Sequence, residues 1–398
     1  MTPRHQRSPG RRKVLFALGG AAVAAPAVAA FAPHALAKTP AGTKAAAGSL
    51  PLTVVNNSGS FDNASVHLYI VGNQDDRQVR VTPDGTLAPI ALSDNGADGF
   101  TDYAISLSGS GGTRLSLPYM SGRVYVALGA KLKFKAVTDG NGHAALQYPA
   151  GWVTSDPNYG VLHDCAEFTY NSAGMFCNTT MVDMFSVPLG IRLTGSEDQT
   201  TGTFREGGRR AVFGAIRQVE AFSRLVVDDT RIIAPGHGLD SGLFAEDYLA
   251  PYIDEVWSTY TGRDLKVTTD AGTFTGRVRG DRFTFDGPAQ VSFGKPSTRD
   301  VLFCDGALAA PNDGTTGPVA AVLGAGFNRS TLLSHPDQPT TDASAFYRTE
   351  LTNHYSKAVH TATEDGKAYG FAFDDVAGFA SYIQDTAPTG LRLTLSPF

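Results

Sequence analysis

Asp164-Cys165-Ala166-Glu167-Phe168-Thr169-Tyr170-Asn171, followed shortly by Asn178-Thr179-Thr180-Met181-Val182-Asp183-Met184-Phe185, is the stretch on which the reading of this chain turns. Apolar and polar residues alternate through it at period two, the pattern of strands with one buried face. Between the two segments, Asn171-Ser172-Ala173-Gly174 offers Asn and Gly for the left-handed positions of a hairpin turn. A turn there sets Tyr170 opposite Met175 and Glu167 opposite Asn178. Glu167 and Thr169 then share a face with Phe176, Asn178 and Thr180, because side chains alternate along a strand. The opposite face carries Phe168, Tyr170, Met175 and Cys177 and reads as core. A slip of one residue would exchange the two faces. Asp183 lies further on, where the strand bends towards Pro188.

Outward from this stretch, period two holds over about 51–200. Val66, Leu68 and Ile70 alternate with His67, Tyr69 and Val71, and Leu132, Phe134 and Ala136 alternate with Lys131, Lys133 and Lys135. Turn signals such as Asn95-Gly96 and Asp139-Gly140-Asn141-Gly142 punctuate the runs, and short strands at this spacing predict a sandwich or barrel. From about 204 the period becomes helical. Val212, Phe213, Ile216, Val219, Phe222 and Leu225 fit one face; Leu249, Tyr252, Ile253, Val256, Trp257 and Tyr260 fit another, with Gly262 placed as a stop. Strands return over about 264–294, a third helical stretch covers about 342–361, and the last 35 or so residues read as strands. The expected fold class is therefore mixed β and α/β. A β-barrel or sandwich domain (51–200 with 363–398) holds an inserted mixed α/β domain (201–362).

Residues 1–37 hold Arg4, Arg7, Arg11, Arg12 and Lys13 and no acid, then an apolar run closed by Ala35-Leu36-Ala37. This is the pattern of an export signal cleaved near Ala37, with 38–50 a flexible leader. Arg11-Arg12 before an Ala-rich core fits a twin-arginine signal; an ordinary secretory signal is the alternative. The expectation is a secreted, extracellular protein without a membrane span. The net charge is −5, and loss of the five signal cations leaves about −10. No basic stripe is present, which argues against a nucleic-acid partner, and an acidic body suits a neutral polymer better than a polyanion. Cys165, Cys177 and Cys304 leave at least one thiol unpaired. The nine His lack metal-ligand spacing, so no metal is expected, and His237 in Pro235-Gly236-His237-Gly238 reads as a loop residue. Composition neither implies nor excludes a cofactor, and none is needed for chemistry carried by carboxylates.

Glu167 and Asp183, on neighbouring segments among hydroxyls, amides and aromatics, have the composition that acid–base cleavage of a sugar–sugar bond requires. The alternative makes both of them solvated surface acids. Beyond that pattern the chain resembles a known family, the bacterial and fungal β-1,3-glucanases of glycoside hydrolase family 64. That family carries D-P-N-Y, then W-D-x-x-E-F-T-x-N, then V-D-x-x-x-x-P. Here the matching residues are Asp156-Pro157-Asn158-Tyr159, His163-Asp164-Cys165-Ala166-Glu167-Phe168-Thr169-Tyr170-Asn171 and Val182-Asp183-Met184-Phe185-Ser186-Val187-Pro188. Leu117–Tyr125 resembles the family's upstream strand, and Ala368–Gly378 its closing segment. Ala166-Glu167-Phe168 with Val182-Asp183…Pro188 is also similar to thaumatin-like proteins, a related fold that often binds β-glucans.

The resemblance implies a thaumatin-like β-domain and an α/β domain flanking a wide groove. It implies endolytic, inverting cleavage of β-1,3-glucan (laminarin, curdlan, fungal cell-wall glucan), with laminaripentaose as product and a monomeric enzyme. Glu167 aligns with the general acid and Asp183 with the general base, the two carboxyls standing about 6.5–9.5 Å apart in such a mechanism. The acid needs a raised pKa, for which a partly buried Glu on an aromatic-lined strand is suited. Thr169, Asn171 and Phe176 align with substrate-binding positions. Phe176 and His163 stand where the family commonly has Trp, which bears on subsite affinity and product length. A thaumatin-like β-glucan-binding protein without turnover is the alternative.

Overall fold

The hairpin read from Asn171–Gly174 forms in the expected register: Glu167 lies opposite Asn178, Thr169 opposite Phe176 and Tyr170 opposite Met175. The structure, a computed structural model, describes residues 48–109 and 111–398. The export signal 1–37 and most of the leader 38–50 lie outside the described residues. The last two leader residues already belong to the strand Ser49–Asn56.

The hairpin is the middle of an eight-stranded sheet. Its strands run in the order Tyr382–Asp385, Gly174–Thr179, Leu162–Asn171, Met120–Leu128, Val66–Gln74, Arg77–Val81 and Leu87–Pro89, with Ile105–Ser106 beside Val66–Gln74. A five-stranded sheet orders Asp198–Thr201, Leu189–Thr194, Gly390–Leu395, Ser49–Asn56 and Thr113–Pro118. In it the first and last strands of the described chain pair in parallel, Leu52 beside Leu391 and Val54 beside Leu393. One buried apolar cluster is shared by both sheets. Leu50, Leu52, Ile191, Leu193 and Leu393 come from the five-stranded sheet, and Leu68, Val126, Phe168 and Met175 from the eight-stranded one. The two sheets therefore form a sandwich over a common core.

The described residues divide into two compact units, Leu249–Thr352 and residues 48–248 together with Asn353–Phe398. This division differs from the boundary drawn at 201–362. Residues 201–248 and 353–362 group with the unit that holds the sandwich. Phe204 stacks on Phe185 at 4.9 Å and bridges to Thr363, and the helix Gly208–Arg217 packs on the helix His354–Ala362. The third helical stretch is shorter than the expected 342–361. Tyr347 takes a left-handed φ of 56°, and the helix starts only where the Asn353 side chain accepts from the Ser356 amide.

In the unit Leu249–Thr352, the helix Ala250–Gly262 buries Tyr252, Ile253, Val256, Trp257 and Tyr260, as its spacing predicts. Five strands accompany it, in the order Val291–Gly294, Arg282–Asp286, Gly272–Arg279, Leu265–Thr269 and Asp337–Gln338. The helix Thr316–Asn328 has no counterpart in the sequence pattern. It is buried almost all round, so it has no polar face from which a helical period could be read. Among the described residues, no helix is long and apolar enough to cross a membrane, and no cluster of His, Cys, Asp and Glu could hold a metal ion. All three cysteines are buried, and Cys165 and Cys177 are free thiols.

Candidate active site

Pairing across the eight-stranded sheet sets Arg123, Glu167, Asn178 and Tyr382 in one row, each directly opposite the next. Cross-strand partners share a face, so this row lies on the side away from Phe168 and the core. Arg123 donates through Nε to Glu167 Oε1 at 3.0 Å, and its Nη2 stands 2.8 Å from the same oxygen. Asn178 Nδ2 donates to Glu167 Oε2 at 3.2 Å, and Arg123 Nη1 donates to the Tyr125 hydroxyl at 3.2 Å. The Glu167 side chain is 15 % exposed, sheltered yet within reach of solvent. Its burial and its place beside Asn178 are as expected; the Arg123 guanidinium that holds the carboxyl is not. Burial works against the Arg123 charge, but Tyr125 and Glu167 outweigh it and hold its pKa well above the ordinary value.

The other predicted residues divide. Thr169 lies one row along, its hydroxyl donating to Ser121 at 2.8 Å, with half-buried Phe176 opposite. Asn171 ends the strand, and its amide oxygen accepts from the Ala173 amide at 2.8 Å, which ties that oxygen to the hairpin turn. His163 is buried, with Nδ1 at 2.8 Å from the Val161 carbonyl. Burial, with Arg231 nearby, lowers its pKa to about 3, so the ring is neutral.

Asp183 is placed by a second, smaller sheet. Met184–Phe185 pairs with Arg231–Ile233, Met184 lying opposite Ile233. The Ala234 amide then donates to the Asp183 carbonyl at 3.0 Å, and Pro235 starts the helix Pro235–Asp240. Within that first turn His237 Nε2 comes to 2.8 Å from Asp183 Oδ1, and Nδ1 stands 3.6 Å from Asp240 Oδ2. His237 is therefore a helical residue bound to the candidate general base, and the reading of it as a loop residue is corrected. Burial pulls its pKa down, but the hydrogen bonds to Asp183 and Asp240 outweigh that and raise it to about 9. Trp152 stacks on the imidazole at 4.6 Å and 23°.

Asp183, Arg123, Tyr125 and Trp152 line an open cleft, with Thr180 and Met184 among its walls. Arg123 thus pairs with Glu167 while lining the cleft with Asp183, whose charge also acts on it. Arg231, fully buried, donates to the Val161 carbonyl at 2.6 Å and contacts Met184 Sδ at 3.0 Å. Gly151 makes room for it: a Cβ there would lie 2.0 Å from the Arg231 guanidinium. Cys165 borders the cleft, but burial raises its thiol pKa far from the range of a nucleophile.

Sequence reasoning misses Arg123, Trp152 and His237 as site residues. Arg123 lies within a strand already singled out, and only the pairing of Met120–Leu128 with Leu162–Asn171 reveals its place opposite Glu167. His237 meets Asp183 across 54 positions of chain, and no local spacing signals that contact.

Residues 48–395 match the family described as β-1,3-glucanase, glycoside hydrolase family 64. The glucan endo-1,3-β-glucosidase of Cellulosimicrobium cellulans is 34% identical over 99% of this chain and 72% of its own. Among solved structures, a laminaripentaose-producing β-1,3-glucanase in complex with laminaritetraose is 36% identical. That match has a TM-score of 0.79 and covers 88% of this chain and 99% of the other. A β-1,3-glucanase domain from Clostridium beijerinckii is 30% identical with a TM-score of 0.75, covering 88% and 98%.

Proposed function

The chain belongs to the β-1,3-glucanases of glycoside hydrolase family 64 and is a glycoside hydrolase, and from that premise we propose that it cleaves β-1,3-glucan endolytically with inversion at the anomeric carbon. Glu167 is the general acid and Asp183 the general base. The observation that carries this reading is Arg123, which pairs with Glu167 and lines the same cleft as Asp183.

In the reaction Glu167 gives its proton to the glycosidic oxygen as the C1–O bond breaks. A water on the opposite face attacks C1 and loses its proton to Asp183. Arg123 supports the step by stabilising the charge that develops on Glu167 as the proton leaves. Glucan filling the site excludes water and favours the protonated carboxyl beforehand. Thr169 and Phe176, on the same face as Glu167, contact sugar rings, and Asn171 does so at the end of the strand. The substrates are laminarin, curdlan and fungal cell-wall glucan, and the product is a laminari-oligosaccharide, laminaripentaose by likeness to the solved relative. The enzyme acts outside the cell as a monomer, exported by a twin-arginine signal.

The test is incubation of the protein lacking residues 1–37, and of its Glu167→Gln and Asp183→Asn variants, with linear β-1,3-glucan. The parent should release oligosaccharides whose new reducing ends are initially α by proton NMR. Each variant should lose about 10²–10⁴-fold or more in rate. Glucan binding without release by the parent would make this a binding protein of thaumatin-like type instead.

A further inference from the structure

Both ring nitrogens of His237 face carboxylates, Nε2 towards Asp183 at 2.8 Å and Nδ1 towards Asp240 at 3.6 Å. An ionised carboxylate only accepts hydrogen bonds, so a ring between two of them is best served by carrying two N–H groups. Trp152, from the segment before the central hairpin, covers one face of that ring, as an aromatic covers a cation. The main chain fixes the arrangement as well, through the Ala234 amide on the Asp183 carbonyl and the paired strands on either side. The His237 side chain is 16 % exposed while that of Asp183 is 32 % exposed and lines the cleft. One partner is therefore sheltered and the other is presented.

We propose that His237 is a positioning residue for glucan hydrolysis: it holds the Asp183 carboxylate in its orientation towards the cleft and keeps it ionised. The inference rests on the reading of Asp183 as the general base. Asp183 from the segment before Met184–Phe185, Asp240 from its own helix, and Trp152 all face His237. Arg123 acts on Asp183 from the sheet. With its pKa raised to about 9, the imidazolium persists through the acidic and neutral range. Because coupling between two charges is reciprocal, the interaction that favours protonated His237 equally favours ionised Asp183.

The experiment compares His237→Gln, His237→Ala and Asp183→Asn with the parent, reading kcat and KM for soluble laminari-oligosaccharides across pH. In His237→Ala, kcat should fall about 10- to 100-fold through loss of orientation, with KM changed little. Its low-pH limb should move upward by about one pH unit, since a carboxylate without its cation protonates more readily. His237→Gln keeps a donor without the charge, so it should recover much of kcat and leave the limb displaced. If kcat falls while the limb stays in place in both His237 variants, His237 is structural support only and the proposal is overturned. Parent-like kcat and pH profile in both would overturn it too. If His237→Ala does not fold, His237→Gln decides by its limb alone. An active Asp183→Asn variant would instead remove the base assignment on which the inference stands.

Discussion

Arg123 shows how one side chain can join two carboxylates that the linear sequence keeps apart. Its guanidinium makes two contacts to Glu167 Oε1, at 3.0 and 2.8 Å, and also borders the cleft that Asp183 lines. Lys carries the same charge but cannot reproduce the planar fork that reaches Glu167 and Tyr125 together. Arg123→Lys should therefore lower kcat by about 10-fold, and Arg123→Met by about 100-fold, because a sheltered carboxylate then develops without its cation. In Arg123→Met the high-pH limb of activity should move upward, since loss of a neighbouring cation favours the protonated carboxyl. A pH–rate profile of both variants checks this. A high-pH limb unchanged in Arg123→Met would mean that Arg123 does not act on the acid.

The strands that carry this row depend on glycines at their closest approach. Gly72 and Gly122 lie opposite one another, on the side of the sheet that Phe168 faces. A Cβ on Gly122 would stand 2.3 Å from the Val71 carbonyl oxygen and 3.0 Å from Gly72 Cα, and backbone cannot swing aside. Gly122→Ala should cost about 2–4 kcal/mol and disturb Arg123 next to it, whereas Gly140→Ala, in open space, should change stability by less than about 0.5 kcal/mol. Denaturant unfolding of the two variants measures the contrast, and equal stabilities would refute the close-approach argument. Strand alternation is what the sequence makes legible. The hairpin at Asn171–Gly174, the faces of Glu167 and Phe168, and the helix Ala250–Gly262 are all readable, since apolar residues recur in each at a regular period. Thr316–Asn328 is hidden because it is buried all round. Arg123 beside Glu167 and His237 beside Asp183 are hidden because sheet pairing and a 54-residue separation create those contacts.

At the scale of the whole chain, the groups assigned to acid–base chemistry belong to one compact unit, while Leu249–Thr352 has an aromatic core of its own. In that core Phe283 packs on Trp257, Tyr260 and Phe285 at 5.5, 5.5 and 4.6 Å. Two cores predict two calorimetric transitions that respond to different substitutions. Phe283→Ala should lower only the transition of Leu249–Thr352, by the roughly 3–5 kcal/mol of a buried aromatic truncation. The other transition should answer to pH through two adjacent buried groups. Burial raises the Asp164 pKa to about 7, against the pull of the Val187 and Ser186 amides that donate to it. The folded state then binds a proton that the unfolded chain has lost, so this contribution is full below about pH 4 and vanishes as pH rises through 7. His163, lowered to about 3, works the other way, and its contribution is lost as pH falls from about 6.5 towards 3. Between about pH 4 and 6.5 the two slopes offset each other in the parent. Asp164→Asn removes one of them, so on acidification the variant should lose stability relative to the parent by about 1.4 kcal/mol per pH unit. Scanning calorimetry from pH 7 to 4.5 tests both statements together: a single transition moved alike by Phe283→Ala and by Asp164→Asn would mean that the two cores unfold as one.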